Sequence, residues 1–150
     1  MKNPQKFYTP IAGVPLAIPI CAREKYSSHR VEIKAGEKYV FWCDDDQYWR
    51  DLFLKQTPAG YNNVMASLLG LRLDSALCFC LCGSINDDEN MLFEIGLKME
   101  KTFNIDGFVS FFANDTPGFY WNNSGAITLN ILKEIPILFQ ELALQGKIYH

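Results

Sequence analysis

Between residues 114 and 125 the chain carries several side chains that can bind a metal ion. This segment, called the Asn114–Gly125 loop below, holds the carboxylate of Asp115, the neighbouring amides of Asn122 and Asn123, and a Pro117-Gly118 turn. Calcium prefers six to eight oxygen ligands from carboxylates, amides and backbone carbonyls. The loop therefore has donors for one calcium ion, although a single carboxylate leaves open coordination positions or requires a second carboxylate from elsewhere.

The composition of the loop also has a plainer interpretation. Asn, Asp, Pro and Gly are common turn formers, because Asx side chains bond backbone groups without a metal. The loop joins two predicted strands through 12 residues, and long connections inside compact domains tend to be functional. From these residues alone, an ordinary turn and a calcium site both remain open.

The segment from Gly107 to Ile131, which contains this loop, closely resembles the C-terminal part of the bacterial calcium-dependent galactose-binding lectins of the LecA (PA-I galactophilic lectin) type. Their pattern is Asn-Asp-x-Pro-Gly-x-x-x-Asn-Asn-Ser-Gly, followed by an alternating final strand. Here the fixed positions are filled by Asn114-Asp115, Pro117-Gly118 and Asn122-Asn123-Ser124-Gly125, and an alternating run follows at 126–131. A weaker similarity extends upstream, so that the resemblance covers residues 30–132.

The resemblance implies a small jelly-roll β-sandwich in which one calcium ion joins the protein to a sugar. It implies calcium ligation by the side chains of Asp115, Asn122 and Asn123 and by the backbone carbonyl of Phe119. A further backbone carbonyl is expected at Trp49 or at a residue or two from it.

The same resemblance implies galactose as the sugar and sugar contacts at Asp115, Thr116, Asn122 and Asn123, with Thr116 acting through its backbone. The family's sugar-reading His and Gln align with two shorter residues, Asn63 and Ala66, so Asn63 is a candidate contact. Trp121 replaces a small residue of the family loop. Its ring can stack on the apolar face of a pyranose or anchor a core or subunit interface.

The rest of the chain reads as an all-β protein, because apolar residues mostly alternate in short runs between turn residues. This pattern is typical of a sandwich or a barrel, and the resemblance implies the small jelly-roll-like β-sandwich. We expect it to have a short C-terminal helix and to form one domain over residues 1–150, with a core at about 16–132 and a helical extension at 133–150. The predicted strands are 16–21 and three hairpins, 30–33 with 38–43, 77–84 with 91–98, and 108–113 with 126–132; the predicted helices are 62–71 and 136–145.

The five cysteines are predicted to be reduced. Cys78, Cys80 and Cys82 alternate, and on a strand their sulfurs would lie on one face roughly 7 Å apart, too far for a disulfide between neighbours. Zinc is the alternative, but the spacing suits it poorly. The apolar stretch at 7–22 contains three prolines and is a poor signal peptide. We therefore expect a cytoplasmic protein.

Charge and composition argue against several functions. The 17 acidic residues outnumber the 14 basic ones, which argues against nucleic-acid binding. No uncharged apolar run reaches the roughly 20 residues of a membrane helix, so no membrane insertion is expected. The only histidines are His29 and His150, and no catalytic triad or phosphate loop can be assembled, so we expect no enzyme.

The leading prediction is a calcium-dependent lectin for galactose-containing glycans. The alternative is a non-catalytic protein-interaction or immunity-type module on the same sandwich, with altered or lost sugar binding. The family resemblance further implies a homo-oligomer. The apolar side of the predicted helix 136–145 must be covered, either by the chain's own sandwich or by a second subunit.

Overall fold

The computed structural model describes residues 3–146, apart from the side chains of Phe139 and Ala143. Short strands dominate, as expected from short alternating runs. The strands are β1 (Lys6–Tyr8), β2 (Leu16–Cys21), β3 (His29–Ile33), β4 (Lys38–Trp42), β5 (Trp49–Asp51), β6 (Leu54–Gln56), β7 (Leu81–Ile85), β8 (Leu92–Glu94), β9 (Lys98–Thr102), β10 (Gly107–Ala113), β11 (Asn123–Ser124) and β12 (Ala126–Lys133). The helices are α1 (Val64–Leu69), a 3-10 turn (Tyr120–Asn122) and α2 (Ile137–Leu144).

The strands form two main sheets and one small sheet. One main sheet has the order β1-β3-β10-β7-β8 and the other the order β2-β12-β4-β9. The pairing of β1 with β3 is parallel, and the other pairings in these two sheets are antiparallel. A three-stranded sheet, β11-β5-β6, joins the Asn114–Gly125 loop to the β5–β6 hairpin. The prediction of an all-β sandwich with a short C-terminal helix is confirmed.

The core lies between the two main sheets, because their alternating strands turn apolar side chains toward each other. Val31, Phe111 and Leu81 come from one sheet, and Phe41 and Leu129 from the other; all are fully buried. Tyr39, Phe41 and Cys43 occupy alternate positions at β4 and just after it, and all three are buried.

Two of the three predicted hairpins are wrong, although their strands are present. β3 and β4 lie in different main sheets, and so do β10 and β12. Each connection carries the chain from one sheet to the other, and both strands face the shared core. Alternation identifies a strand and its buried face, but it carries no information on the strand's partner. The third hairpin is confirmed, since β7 pairs with β8 in antiparallel register.

The strand predicted at 77–84 begins only at Leu81, and this changes the interpretation of the cysteines. Phe79 has a positive φ of 64°, so the backbone is not extended there. Cys78 lies in the main core, whereas Cys80 and Cys82 pack together in a separate cluster with Phe112. All five cysteines are free, and all but Cys21 are buried. Within residues 3–146 no cluster of three or more His, Cys, Asp and Glu side chains is placed to hold a metal ion.

Both predicted helices are present and slightly shorter than expected. α1 begins after Asn63, whose side-chain oxygen accepts a hydrogen bond from the Ala66 amide, as an N-cap should. In α2, Ile137, Leu138 and Leu144 are exposed. These three apolar side chains are not covered by the chain's own sandwich. None of the helices in the described part of the chain is long and apolar enough to cross a membrane.

Removing α2 should reduce self-association without unfolding the sandwich. Glu134 still bonds the backbone of β4 and Ile135 lies against Gly13, so a chain ending at Ile135 keeps its last core contacts. We expect light scattering to show a lower mass for this truncation than for the full chain, with a melting temperature within a few degrees.

A chain ending at Gly146 is the matched control, because it retains α2. Equal masses of the Ile135 truncation and the full chain at matched concentrations would show that α2 is not a subunit contact.

Candidate functional site

The Asn114–Gly125 loop is anchored at its start by the buried side chain of Asn114. Its Oδ1 accepts a hydrogen bond from the Leu73 amide at 3.0 Å, and its Nδ2 donates to the carbonyls of Leu73, Ala76 and Leu77 at 2.9 to 3.2 Å. The backbone of Asn114 also pairs with Phe79 and Cys80. One amide therefore fixes the 73–80 segment against the loop.

Asp115 follows directly and is 4% exposed. Its Oδ1 accepts from the Thr116 amide at 2.7 Å, and its Oδ2 accepts from Nδ2 of Asn123 at 2.9 Å. Burial raises the pKa of Asp115, the two hydrogen bonds oppose this rise, and the charge of Asp51 adds to it. A nearby cation would favour the charged carboxylate, because opposite charge lowers a carboxyl pKa.

A second carboxylate, Asp51, lies beside this pair. Asp51 is the register partner of Asn123 in the β5–β11 pair, and Tyr61 Oη donates to its Oδ2 at 2.5 Å. The thiol of Cys78 lies 4.0 Å from the same oxygen. Burial, followed by the charges of Asp115 and Asp51, raises the pKa of Cys78 to about 12. The neutral Cys78 thiol therefore lies close to both carboxylates and balances neither charge.

The two amides of the motif each have a buried oxygen that lacks a partner. Nδ2 of Asn123 donates to Asp115 and to the carbonyl of Ala22, so its orientation is fixed by two acceptors. Among the described residues, neither Oδ1 of Asn122 nor Oδ1 of Asn123 accepts a hydrogen bond. Buried polar atoms in folded proteins nearly always have a partner, and exceptions call for an explanation such as an ion or a water.

Together, Asp51, Asp115, Asn122 and Asn123 form what we call the candidate site. It brings two carboxylates and two unpartnered amide oxygens to one short β5–β11 pairing. Oxygen donors of this kind suit a hard divalent cation, whereas zinc prefers nitrogen and sulfur. The residues present therefore fit a calcium-like ion.

The two residues predicted to donate a backbone carbonyl, Phe119 and Trp49, are close in sequence to Asn122 and Asp51 of this site. Phe119 immediately precedes the 3-10 turn that carries Asn122, and its amide bonds the Thr116 carbonyl. Trp49 is fully buried, donates Nε1 to the Phe79 carbonyl at 3.2 Å, and packs close to Gly125. The residue opposite Asn123 is Asp51, two residues beyond Trp49.

Two of the predicted sugar contacts already have partners within the chain. The backbone amide of Thr116 bonds Asp115, and its hydroxyl lies 3.4 Å from the Ala66 carbonyl. Asn63 uses its oxygen to cap α1 and its Nδ2 to donate to Tyr61 Oη at 2.7 Å. Asn63 thereby supports Asp51 through Tyr61.

Trp121 is 66% exposed, which excludes the core position considered from the sequence. It precedes Asn122, whose carbonyl accepts from the Leu52 amide at 3.1 Å. Leu52 and Phe53 form the two-residue turn between β5 and β6, and both are exposed. Leu52 has a positive φ of 60°, although such turns favour Asn and Gly. Three apolar side chains, Leu52, Phe53 and Trp121, therefore border the site.

Sequence reasoning missed Asp51, although it had called for a second carboxylate and for a donor near Trp49. It also missed Arg72. The Arg72 amide donates to the Asp115 carbonyl at 3.1 Å, and its guanidinium pairs with Glu89 at 2.8 Å and lies over Phe112 at 3.6 Å. Arg72 holds the pKa of Glu89 at about 2. No local pattern marks either residue, because their partners are distant in sequence.

Comparison with protein-family models and with curated proteins gave no match. A solved structure described as "EclA N-terminal domain; PllA-like lectin" is similar to this chain, with a TM-score of 0.57 and 16% sequence identity. The match covers 79% of this chain and 95% of that chain. This chain therefore has the same overall fold as that domain. At this identity the likeness concerns the fold, and it agrees with the sandwich predicted from the sequence.

Replacing Asn114 should loosen the lectin-like fold at this loop. Asn114→Ala leaves the Leu73 amide and three carbonyls without their buried partner, so we expect unfolding free energy to fall by about 3 kcal/mol in urea melts. Asn104→Ala, at an exposed asparagine, is the control and should change little. A loss for Asn114→Ala no greater than that of the control would contradict the anchoring role.

Proposed function

We propose that this protein is a calcium-dependent lectin that binds galactose-containing glycans at the candidate site. The observation that carries the proposal is the pair of buried, unpartnered amide oxygens of Asn122 and Asn123 beside the carboxylates of Asp115 and Asp51. The similarity to a PllA-like lectin domain supports carbohydrate binding as the general activity.

Calcium is the proposed ion because of the charge and the type of donors. Two carboxylates balance a divalent cation, and the two amide oxygens add neutral hard donors. The backbone carbonyl of Phe119 remains the proposed additional ligand, and the carbonyl expected near Trp49 is proposed to come from β5. When bound, the ion supplies open coordination positions for two neighbouring sugar hydroxyls.

The chain's own residues have three proposed roles around the ion. Asp115, Asn122 and Asn123 hold the ion and remain available to bond sugar hydroxyls. The backbone of Thr116 is proposed to lie next to the sugar, beside Asp115. Asn63 and Tyr61 orient the Asp51 carboxylate.

The exposed ring of Trp121 is proposed to stack on the apolar face of the sugar. Leu52 and Phe53 extend the same apolar border. A ligand with one apolar face and hydroxyls at its edge, as in a pyranose, would match an apolar wall beside a cation. Galactose is the proposed sugar by family resemblance, with modest affinity because Asn63 is committed within the chain and Ala66 is short.

A protein-interaction module on the same sandwich is the second candidate. α1 exposes Val64, Met65, Leu68 and Leu69, and an exposed apolar surface often marks a protein contact. In that case the candidate site would stabilise the loop, while α1 would bind the partner. A homo-oligomer is proposed in either case.

Calcium should stabilise the protein through Asp115. A ligand at a hundredfold excess over Kd adds about 2.7 kcal/mol, which for a chain of this length raises Tm by roughly 5 to 10 °C. Asp115→Asn should abolish this rise. In chelator the variant should melt near wild type, since it removes a buried charge whose raised pKa opposes folding at neutral pH.

Asp74→Asn is the matched control, because Asp74 is exposed, and it should retain the full calcium shift. Calcium binding should also weaken as pH falls toward the raised pKa of Asp115, since a proton competes with the ion. An unchanged melting curve of the wild type in calcium and in chelator would remove the metal from the proposal.

Galactose binding should depend on both calcium and Trp121. We expect the protein to be retained on a galactose matrix in calcium and released by chelator. Trp121→Ala should weaken galactoside binding roughly 2- to 10-fold, the value of one aromatic contact. Tryptophan fluorescence can follow the titration, because Trp121 is exposed and Trp49 is fully buried. Trp42 is half-buried on β4, so the Trp121→Ala variant serves to separate its signal from that of Trp121.

Ile11→Ala is the control for loss of an exposed apolar side chain. Ile11 adjoins Gly13, which bonds Lys133 at the end of β12 far from the loop. Calcium stabilisation without retention of any galactoside, together with a glycan array that shows no ligand, would favour the interaction module.

A further inference from the structure

A cleft of about 1000 Å³ opens beside the candidate site. It lies where the edge strand β2 and the segment after it face the start of β3, and Cys21, Tyr26 and Ser28 are among its lining residues. Ligand-binding clefts commonly have volumes of about 300 to 1000 Å³. This cleft is therefore large enough for at least one sugar residue.

One wall of the cleft is shared with the candidate site. The segment 123–126 lines the cleft, and the Asn123 side chain bonds Ala22 at the end of β2 as well as Asp115. A ligand held at the candidate site would therefore need to cross only this narrow segment to reach the cleft.

A buried guanidinium lies in the cleft lining. Arg30 is 5% exposed, pairs with Asp87 at 2.7 Å, and donates Nε to the Ser27 carbonyl at 3.2 Å. Its planar group lies 5.9 Å from the centre of the Phe7 ring and 5.1 Å from that of Phe108. Arginine has five N–H groups in a fixed fork, so Arg30 is a rigid donor that retains capacity beyond these two bonds.

The charge of the cleft opposes that of the whole chain. Arg23 and Lys25 are exposed at its border, and Glu24 lies between them in sequence. Three cations (Arg23, Lys25, Arg30) minus two carboxylates (Glu24, Asp87) leave one positive charge locally, in a chain whose net charge is −3. The local charge of the cleft therefore favours anions, unlike the net charge of the chain.

We propose that this cleft binds an anionic substituent, a carboxylate or a sulfate, on a second sugar residue of the glycan whose first residue occupies the candidate site. This inference rests on the proposed function. Arg23 and Lys25 supply charge at the border, Arg30 supplies a fixed donor within, and Asn3, Ser28 and Ser124 can bond sugar hydroxyls. The volume exceeds that of a single small anion, which favours a charged sugar residue over a free ion.

The test compares three galactose-terminated ligands by titration calorimetry in calcium: a neutral disaccharide, the same disaccharide with one sulfate, and the same disaccharide with one sialic acid. At low salt we expect at least one charged ligand to bind about fivefold more tightly than the neutral one, as for a partly exposed ion pair. The advantage should shrink as salt is added. If the sulfated disaccharide binds more tightly than the neutral one, the cleft recognises sulfate; if the sialylated disaccharide does, it recognises a carboxylate.

The double variant Arg23→Gln and Lys25→Gln should remove this advantage and leave the neutral affinity unchanged. Lys98→Gln is the control, because it removes one cation from an exposed position on β9. Neutral binding with no gain for either charged ligand would overturn the cleft assignment and leave the lectin proposal standing. An advantage that survives in the double variant would also overturn the assignment. Failure of all three ligands to bind would overturn both proposals.

Discussion

The side chain of Asn114 is the interaction on which the functional end of this sandwich depends. A buried amide must satisfy both its donor and its acceptor, and Asn114 does so entirely with backbone groups of the 73–77 segment. Its own carbonyl accepts from the Phe79 amide at 2.6 Å, and Phe79 has a positive φ that costs a bulky residue roughly 1 kcal/mol. Asn114 therefore holds the strained turn at Phe79 and the 73–77 segment against the loop.

The same region concentrates negative charge that the chain does not neutralise by itself. Asp115 and Asp51 lie around the Cys78 thiol, and burial with mutual repulsion raises the pKa of Asp115. The guanidinium of Arg72, whose backbone amide bonds Asp115, is paired with Glu89. A carboxylate with a perturbed pKa that is held by a rigid frame is typical of functional sites. The raised pKa of Asp115 and the unpartnered amide oxygens both support the cation proposed for this site.

The candidate site is bordered by apolar side chains that are exposed to solvent. A two-residue turn normally carries Asn and Gly, yet here it carries Leu52 and Phe53, with Trp121 across the hydrogen bond from Leu52 to Asn122. Residues that do not suit their turn, and that bring no gain in stability, tend to occur at functional sites. The apolar border on one side and the basic cleft beyond Asn123 give the proposed glycan site two distinct walls.

The sequence by itself determined most strands of the two main sheets, their buried faces and the loop chemistry, since these follow from local alternation, turn residues and a motif of 12 consecutive positions. It did not predict β1, β9 or the three short strands β5, β6 and β11. The strands β2, β3, β4, β10 and β12 lie close to their predicted bounds, and Asp115, Asn122 and Asn123 were named from the motif. Only the tertiary structure decided which strands pair, because a strand's apolar face is satisfied by the core whichever sheet it joins. The tertiary structure also brought Asp51 to Asn123 and Arg72 to Asp115. These contacts join residues 43 to 72 positions apart. A short-range sequence pattern cannot predict them, because they depend on how the two sheets pack around the core.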